Sequence, residues 1–313
     1  MENQSLTVIY VTYKREAEIK KSISYLTPFL DQVNEIIVVD NGKSPSLKRD
    51  LAQEYGKKVT VIQPEENLGA VARTLGIMAS TGDIVVTLDD DIHLKSPDQL
   101  TSLQHIFSSN LVACVNFKIL YEGSSELDIS DWCHPRPADV FFNSCFDTTY
   151  ISEGACAFKG DVIRELDAYS LDLFIGQEGV ELAAKILNKG YSILYTPNII
   201  AHHSVAEAGR TSGRQFYYNT RNIIIVALKY YPVAYAMRVI LRELTTLIVF
   251  SAIKFKLNYF FKGFFSGVAY IRSDKFTRST ISHVAVEKIK YINRCKPGFI
   301  TLFKKVYKSK TLT

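Results

Sequence analysis

Cysteine is scarce and poorly spaced for chemistry. The chain has five, Cys114, Cys133, Cys145, Cys156 and Cys295, an odd number without any Cys-x-x-Cys pair, which argues against a disulfide framework or a zinc cluster and for a reducing compartment. The first residues, MENQSLTVIYVTY, lack the basic and apolar blocks of a secretion signal, so the chain is expected to stay in the cytosol. No Gly-x-Gly-x-x-Gly follows the first apolar run, and no phosphate-binding Gly-x-x-x-x-Gly-Lys-Ser/Thr occurs anywhere. Dinucleotide enzymes and P-loop NTPases are thereby demoted. Long apolar runs are missing too: within the Val233–Ile253 zone the longest charge-free stretch, Leu244–Ile253, has ten residues, where a spanning helix needs about 20.

Acidic residues almost vanish from the last third. Residues 214–313 carry 19 Lys and Arg against 3 Asp and Glu, whereas residues 1–213 carry 18 against 29. With 47% hydrophobic residues overall the chain is no disordered polymer, and its two parts are expected to differ: a folded domain over 1–213, with halves meeting near residue 110, and a basic helical region over 214–313. Residues 216–270 are rich in Tyr, Phe, Ile and Leu, with Lys or Arg every few positions. That pattern points to an amphipathic region on an anionic membrane surface; its aliphatic content argues against nucleic acid.

The first part alternates apolar runs with helix-like stretches. Leu6–Val11, Glu35–Val39, Lys58–Ile62 and Asp83–Leu88 read as strands buried on both faces, with helices over Ala17–Leu30 and Gly69–Ser80 between them, which predicts an open α/β sheet with parallel units. A second zone holds Ala155–Phe158, a helix from about Gln177 to Asn188, and the runs Ser192–Tyr195 and Ile199–Ala201. Residues 121–150 have no clear period and carry the single Trp, as expected for a functional excursion over the sheet edge.

Open α/β sheets bind ligands beyond the carboxyl ends of their strands. Asp89-Asp90-Asp91 stands at such an end, and adjacent carboxylates there suit a Mg2+ or Mn2+ ion completed by water and phosphate oxygens. Asp40, before Asn41-Gly42, either accepts from a nucleobase or ribose or closes an Asx-turn. Trp132, His134 and Arg136 could build an acceptor platform, the alternative being a buried Trp that anchors the loop. Arg210, Arg214 and Arg221 either fold over a diphosphate or begin the basic tail.

VIYVTYKR, IIVVDNG, ENLGAVARTLGI, GDIVVTLDDD, EGACAF, GQEGVELAAKILNKGYSILYTP and AHH, in this order over residues 5–210, resemble the family 2 glycosyltransferases of the GT-A fold, especially the rhamnosyltransferase-like branch. The resemblance implies donor contacts at Thr12, Tyr13, Arg15, Asp40, Asn67, Gly69, Asp89 and Asp90, and a divalent cation, Mn2+ or Mg2+, at Asp89, Asp91 and His202. Many members carry Glu-Asp-x-Asp-Leu where this chain has Glu178-Gly179-Val180-Glu181-Leu182, so the usual base position falls on Gly179 and Glu178 becomes the candidate base. Glu181 either faces the acceptor or pairs with Lys185 at i,i+4. The implied reaction is inverting transfer of one sugar from a UDP- or dTDP-linked donor to a hydroxyl of a lipid-linked glycan in bacterial surface polysaccharide synthesis, at the inner membrane face, with self-association open. The rivals are a nucleotidyltransferase, for which Thr12–Arg15 is a poor phosphate loop, and an inactive binding module, which would not need the acidic triplet.

Overall fold

The four apolar runs become parallel neighbours in one sheet. In the computed structural model β1 (Leu6–Thr12), β2 (Glu35–Asp40), β3 (Val59–Ile62) and β4 (Ile84–Asp89) stand in the order β3-β2-β1-β4, with α1 (Glu16–Ser24), α2 (Leu47–Tyr55) and α3 (Arg73–Ala79) on the crossovers. The structure describes residues 4–129, 132–204 and 213–296; Arg210 and residues 297–313 of the basic tail lie outside the described residues. One expected helix is broken: α1 stops at Ser24, and a 3-10 segment, Thr27–Gln32, replaces its second half. Pro28 explains this, since its ring and missing N–H are tolerated only at a helix start.

Beyond β4 the sheet turns mixed. β5 (Ile92–Leu94), α4 (Asp98–Phe107), β6 (Val112–Tyr121), α5 (Ala138–Phe141), β7 (Phe146–Asp147), β8 (Ala155–Lys159), α6 (Gly160–Glu165), α7 (Glu178–Asn188) and β9 (Ser192–His203) follow. The order is β3-β2-β1-β4-β8-β6-β9-β5, with β7 also on β9. None of the apolar runs above anticipates β5 or β6. The runs Ser192–Tyr195 and Ile199–Ala201 are one strand, whose ladder with β6 shifts register between Asn116 and Lys118 as β9 passes Pro197; a proline fits a strand only at such an irregularity. β8 is antiparallel to both β4 and β6. Ala155, at its amino end, therefore pairs with Leu88 near the carboxyl end of β4, and the residues just before β8 share the edge where the parallel strands finish.

Period-two alternation covers both faces of the sheet. Val8, Tyr10, Val38 and Val86 pack with α1, α2 and α4 through Ile19, Leu51 and Leu103. Ile9, Ile37 and Val85 pack on the other side with α3 and α7 through Ile77, Leu182 and Ile186. Four further helices, α8 (Arg214–Tyr230), α9 (Val233–Ile253), α10 (Leu257–Ile271) and α11 (His283–Ile292), complete the described chain. Ile225, Val226 and Tyr230 of α8 and Ile289 of α11 share this second core. No helix of the described residues is long and apolar enough to cross a membrane.

α8 and α10 cross where Gly263 and Gly267 remove side chains. A Cβ on residue 263 would overlap the Tyr217 carbonyl oxygen, and one on residue 267 would come within 3.0 Å of Arg221 O. Backbone cannot yield as a side chain can, so Gly263→Ala is expected to destabilise the fold by about 1–3 kcal/mol. Urea unfolding measures this, and an unchanged midpoint would contradict the close crossing.

Candidate active site

The acidic triplet is divided between two arginines. Thr12, at the end of β1, donates its hydroxyl to Asp90 Oδ2 at 2.7 Å, and Arg15 Nη1 reaches Asp90 Oδ1 at 2.6 Å and Asp91 Oδ2 at 2.9 Å. Arg73, which opens α3, pairs with Asp89. Burial pushes the Asp90 carboxyl up to about 7, and Thr12 and Arg15 only partly oppose the shift. Burial works the same way on Asp91, but there His203 and Arg15 more than offset it and hold the carboxyl below its ordinary range.

The two histidines face opposite ways, because successive strand residues point to opposite sides. His203 Nε2 lies 3.7 Å from Asp91 Oδ1, and its Nδ1 is 2.6 Å from the buried Asp128 Oδ2. His202, the expected cation ligand, turns away from Asp91 and stacks on His93, whose ring lies on Tyr25 with centroids 3.8 Å apart. The expectation is corrected accordingly: His203 is the histidine that meets the triplet.

Next to Asp89 lies a crevice with two more carboxylates. Glu178 opens α7, is buried, and has Oε2 without a partner; burial pushes its carboxyl up. Glu153 precedes β8 and is half-buried; burial, reinforced by the charge of Glu178, pushes it up to about 8. A Cβ on Gly154 would overlap Asp89 Oδ2, and a Cβ on Gly179 would overlap Glu153 Oε1. Sequence reasoning passes over Glu153, Asp128 and Arg73. For Glu153 a signal existed, an acid at the start of the EGACAF run, but only the antiparallel direction of β8 carries it to this edge.

The donor-side expectations meet mixed surroundings. Asp40 is fully buried and accepts from Gly42 N, Ser44 N and Gln63 Nε2 at 2.9, 2.6 and 2.9 Å, the turn-closing alternative that Asp-Asn-Gly offered. Asn67 is exposed, with its Oδ1 accepting from Gly69 N, and Asn41 holds the same loop through Leu68 N and Gly69 O. Tyr13 is 47% exposed at the mouth of β1. Arg214 lies over the Phe174 ring, and Arg221 donates to Asp172 O and Asn222 Oδ1.

The acceptor candidates are engaged in packing. Trp132 donates Nε1–H to Arg136 O at 2.7 Å and meets His134 and Tyr195 edge-on, which is the loop-anchoring alternative. Both line a narrow crevice with Asp128 and Ser152. Glu181 makes the i,i+4 pair that was its alternative. It is 1% exposed, accepts from Tyr230 Oη and Ser170 N, and has Lys185 Nζ at 3.6 Å, because it lies one turn further along α7 than Glu178, where α8 covers the helix.

Residues 7–167, just over half of the chain, match the family model described as Glycosyl transferase family 2, and the chain belongs to that family. An uncharacterised glycosyltransferase of Haemophilus influenzae is 36% identical over 87 residues, 28% of this chain and 29% of that protein. Undecaprenyl-phosphate 4-deoxy-4-formamido-L-arabinose transferase of Aeromonas hydrophila is 30% identical over 105 residues, 31% of this chain and 32% of that protein. The chain thus spans about a third of the length of either relative. Among solved structures, GalNAc-T7 with UDP, GalNAc and Mn2+ superposes with a TM-score of 0.60 at 16% identity, covering 88% of this chain and 59% of that one. Mannosyltransferase PcManGT from Pyrobaculum calidifontis, with GDP-Man and Mn2+, gives 0.55 at 18% identity, covering 93% and 85%. These likenesses show a GT-A fold.

His134 provides a test of the packed loop. Burial pushes its imidazole down from 6.5 to about 3, so between those values the unfolded chain binds a proton that the folded chain refuses. Stability present above pH 6.5 is therefore lost as pH falls, at roughly 1.4 kcal/mol per pH unit across that window. His134→Phe should flatten the acid limb of a plot of thermal midpoint against pH; an unchanged limb would contradict the buried neutral imidazole.

Proposed function

We propose that this glycosyltransferase moves one sugar from a nucleoside diphosphate donor, UDP- or dTDP-linked, to a hydroxyl of a lipid-linked glycan, by inverting displacement. The observation that carries the reading is the meeting of Thr12, Arg15, Asp90, Asp91 and His203 where β1, β4 and β9 end, beside the carboxylates of Glu153 and Glu178. Diphosphate needs positive charge, which Arg15 brings, and an acceptor hydroxyl needs a base. Tyr13, Asn67 and Gly69 border the donor side, with Asp40 bracing the loop beneath them.

The donor set suits a hard divalent cation, Mn2+ or Mg2+. Asp89 and Asp91 supply oxygens, and His203, its Nδ1 held by Asp128, presents Nε2 toward Asp91, the orientation a neighbouring carboxylate imposes on a ligating imidazole. Among the described residues no three His, Cys, Asp or Glu side chains already form a cation cage, so water and diphosphate oxygens would complete the shell. Such a cation neutralises charge developing on the leaving diphosphate. Asp91→Asn should lower release of nucleoside diphosphate from sugar nucleotides by about 10²-fold or more while the thermal midpoint holds. Undiminished release would refute this role for Asp91.

The basic helices would set the enzyme on an anionic membrane surface at the inner face. Val233, Met237 and Leu241 are 57%, 55% and 71% exposed at i, i+4 and i+8 of α9, and Phe255, Phe261 and Phe265 are 91%, 46% and 66% exposed in and before α10. Arg238, Arg242, Lys254 and Lys262 are exposed between them. Apolar insertion plus Lys and Arg contacts, each worth about 1 kcal/mol near such a surface, supports interfacial binding. In vesicle flotation the full chain should rise with phosphatidylglycerol vesicles, less so at high salt, and Phe255→Ser/Phe261→Ser/Phe265→Ser should remain at the bottom. Equal flotation of both forms, or of neither, would refute the membrane contact.

A further inference from the structure

We infer that Glu153 is the general base of the transfer, its carboxylate lying in the space that Gly179 leaves open at the first turn of α7. The inference rests on the sugar-transfer reading above and adds the identity of the proton acceptor. Three carboxylates border the crevice among the described residues, and their surroundings separate them. Asp89 is bound by Arg73. Glu178 is 5% exposed, and its Oε2 is sealed from solvent without a partner, so an acceptor hydroxyl cannot approach that oxygen without rearrangement. Glu153 is half-buried and precedes the residue whose Cα lies against the Asp89 carboxylate. It alone of the three combines partial exposure with the lack of an arginine in ion-pair contact and with nearness to the end of β4.

Its backbone is fixed on both sides. Thr87 Oγ1 donates to Glu153 O at 2.7 Å, and Asp89 N donates to Gly154 O at 3.0 Å, so the turn that carries the side chain is tied to β4, as a base held in one geometry requires. Gly179 is part of the device: a Cβ there would overlap Glu153 Oε1 and come within 2.5 Å of Ile151 O, so any larger residue would displace the carboxylate. The charged and titratable groups facing Glu153 are Glu178 from α7, Arg73 from α3 and Asp89 from β4, with Tyr169 and Cys114 behind them. One consequence is that a carboxylate still stands beside position 179, supplied from across the crevice instead of from the helix.

In the step itself a lone pair of the acceptor oxygen forms the bond to the anomeric carbon. The bond from that carbon to the β-phosphate oxygen breaks, and its electron pair leaves on the nucleoside diphosphate. The hydroxyl proton passes to Glu153 and then to solvent.

The test compares wild type with Glu153→Gln, Glu153→Ala and Glu178→Gln in the full chain. UDP-N-acetylglucosamine, UDP-glucose and dTDP-rhamnose serve as donors, water and octyl glycosides as acceptors, with MnCl2 present. Nucleoside diphosphate release gives the rate, and calorimetry gives the affinity for UDP and dTDP. Glu153→Gln is expected to lower kcat by about 10²-fold or more with nucleotide affinity and thermal midpoint unchanged. Sodium formate should restore about tenfold to Glu153→Ala and nothing to Glu153→Gln, whose amide fills the space; a merely structural role would not respond. Glu178→Gln should lose at least tenfold less than Glu153→Gln. Near-wild-type turnover in Glu153→Gln, or a larger loss in Glu178→Gln, would overturn the assignment alone. Wild-type protein that neither binds UDP or dTDP nor releases them would overturn the transfer reading and the assignment with it.

Discussion

Five carboxylates crowd one edge of this sheet, and their mutual repulsion is the constraint around which the site is built. Asp89 ends β4 and Asp90 and Asp91 follow it, while Glu153 and Glu178 stand alongside. Like charges so placed in partly desolvated surroundings disfavour ionisation unless counter-charge is near. The counter-charge comes from the crossovers on either side of β4's neighbours. Arg15, just before α1, spans Asp90 and Asp91, and Arg73, at the start of α3, takes Asp89. Helices that merely return the chain in a parallel sheet thus also carry the charges that let the acidic edge exist.

Helix α7 joins this edge to the rest of the molecule. Glu178 at its first residue faces the crevice, and one turn later Glu181 accepts from Tyr230 of α8 while Lys185 closes on it from the same helix. Leu182, Ile186, Ile225 and Ile289 belong to one core, so the crevice and the basic helices rest on a single scaffold. A strain introduced at the α8–α10 crossing, where Gly263 meets Tyr217, is therefore one helix removed from the carboxylates.

The parts of the fold that could be read from the residues were those written locally. Strands buried on both faces must be apolar at nearly every position, and β1, β2 and β4 accordingly appear as runs that chain order alone reveals. The acidic triplet could be read for the same reason, because it follows one of those runs directly. β6 escaped notice because its run mixes Asn116 and Lys118 with apolar residues, and the two-part appearance of β9 came from Pro197, which the ladder absorbs at a register shift.

What the sequence by itself determined, then, was the sheet's parallel half, the acidic strand end, the glycosyltransferase resemblance and the charge asymmetry of the last third. Only the tertiary structure decided which side chains meet. The face of a strand residue depends on register, and register selected His203 over its neighbour. The direction of β8 brought Glu153 to the crevice, Asp128 came from the irregular loop to hold His203, and Gly179 proved to be space for another element's carboxylate. Each of these is a contact between residues far apart in the chain, which pairing and packing fix and local propensity does not record.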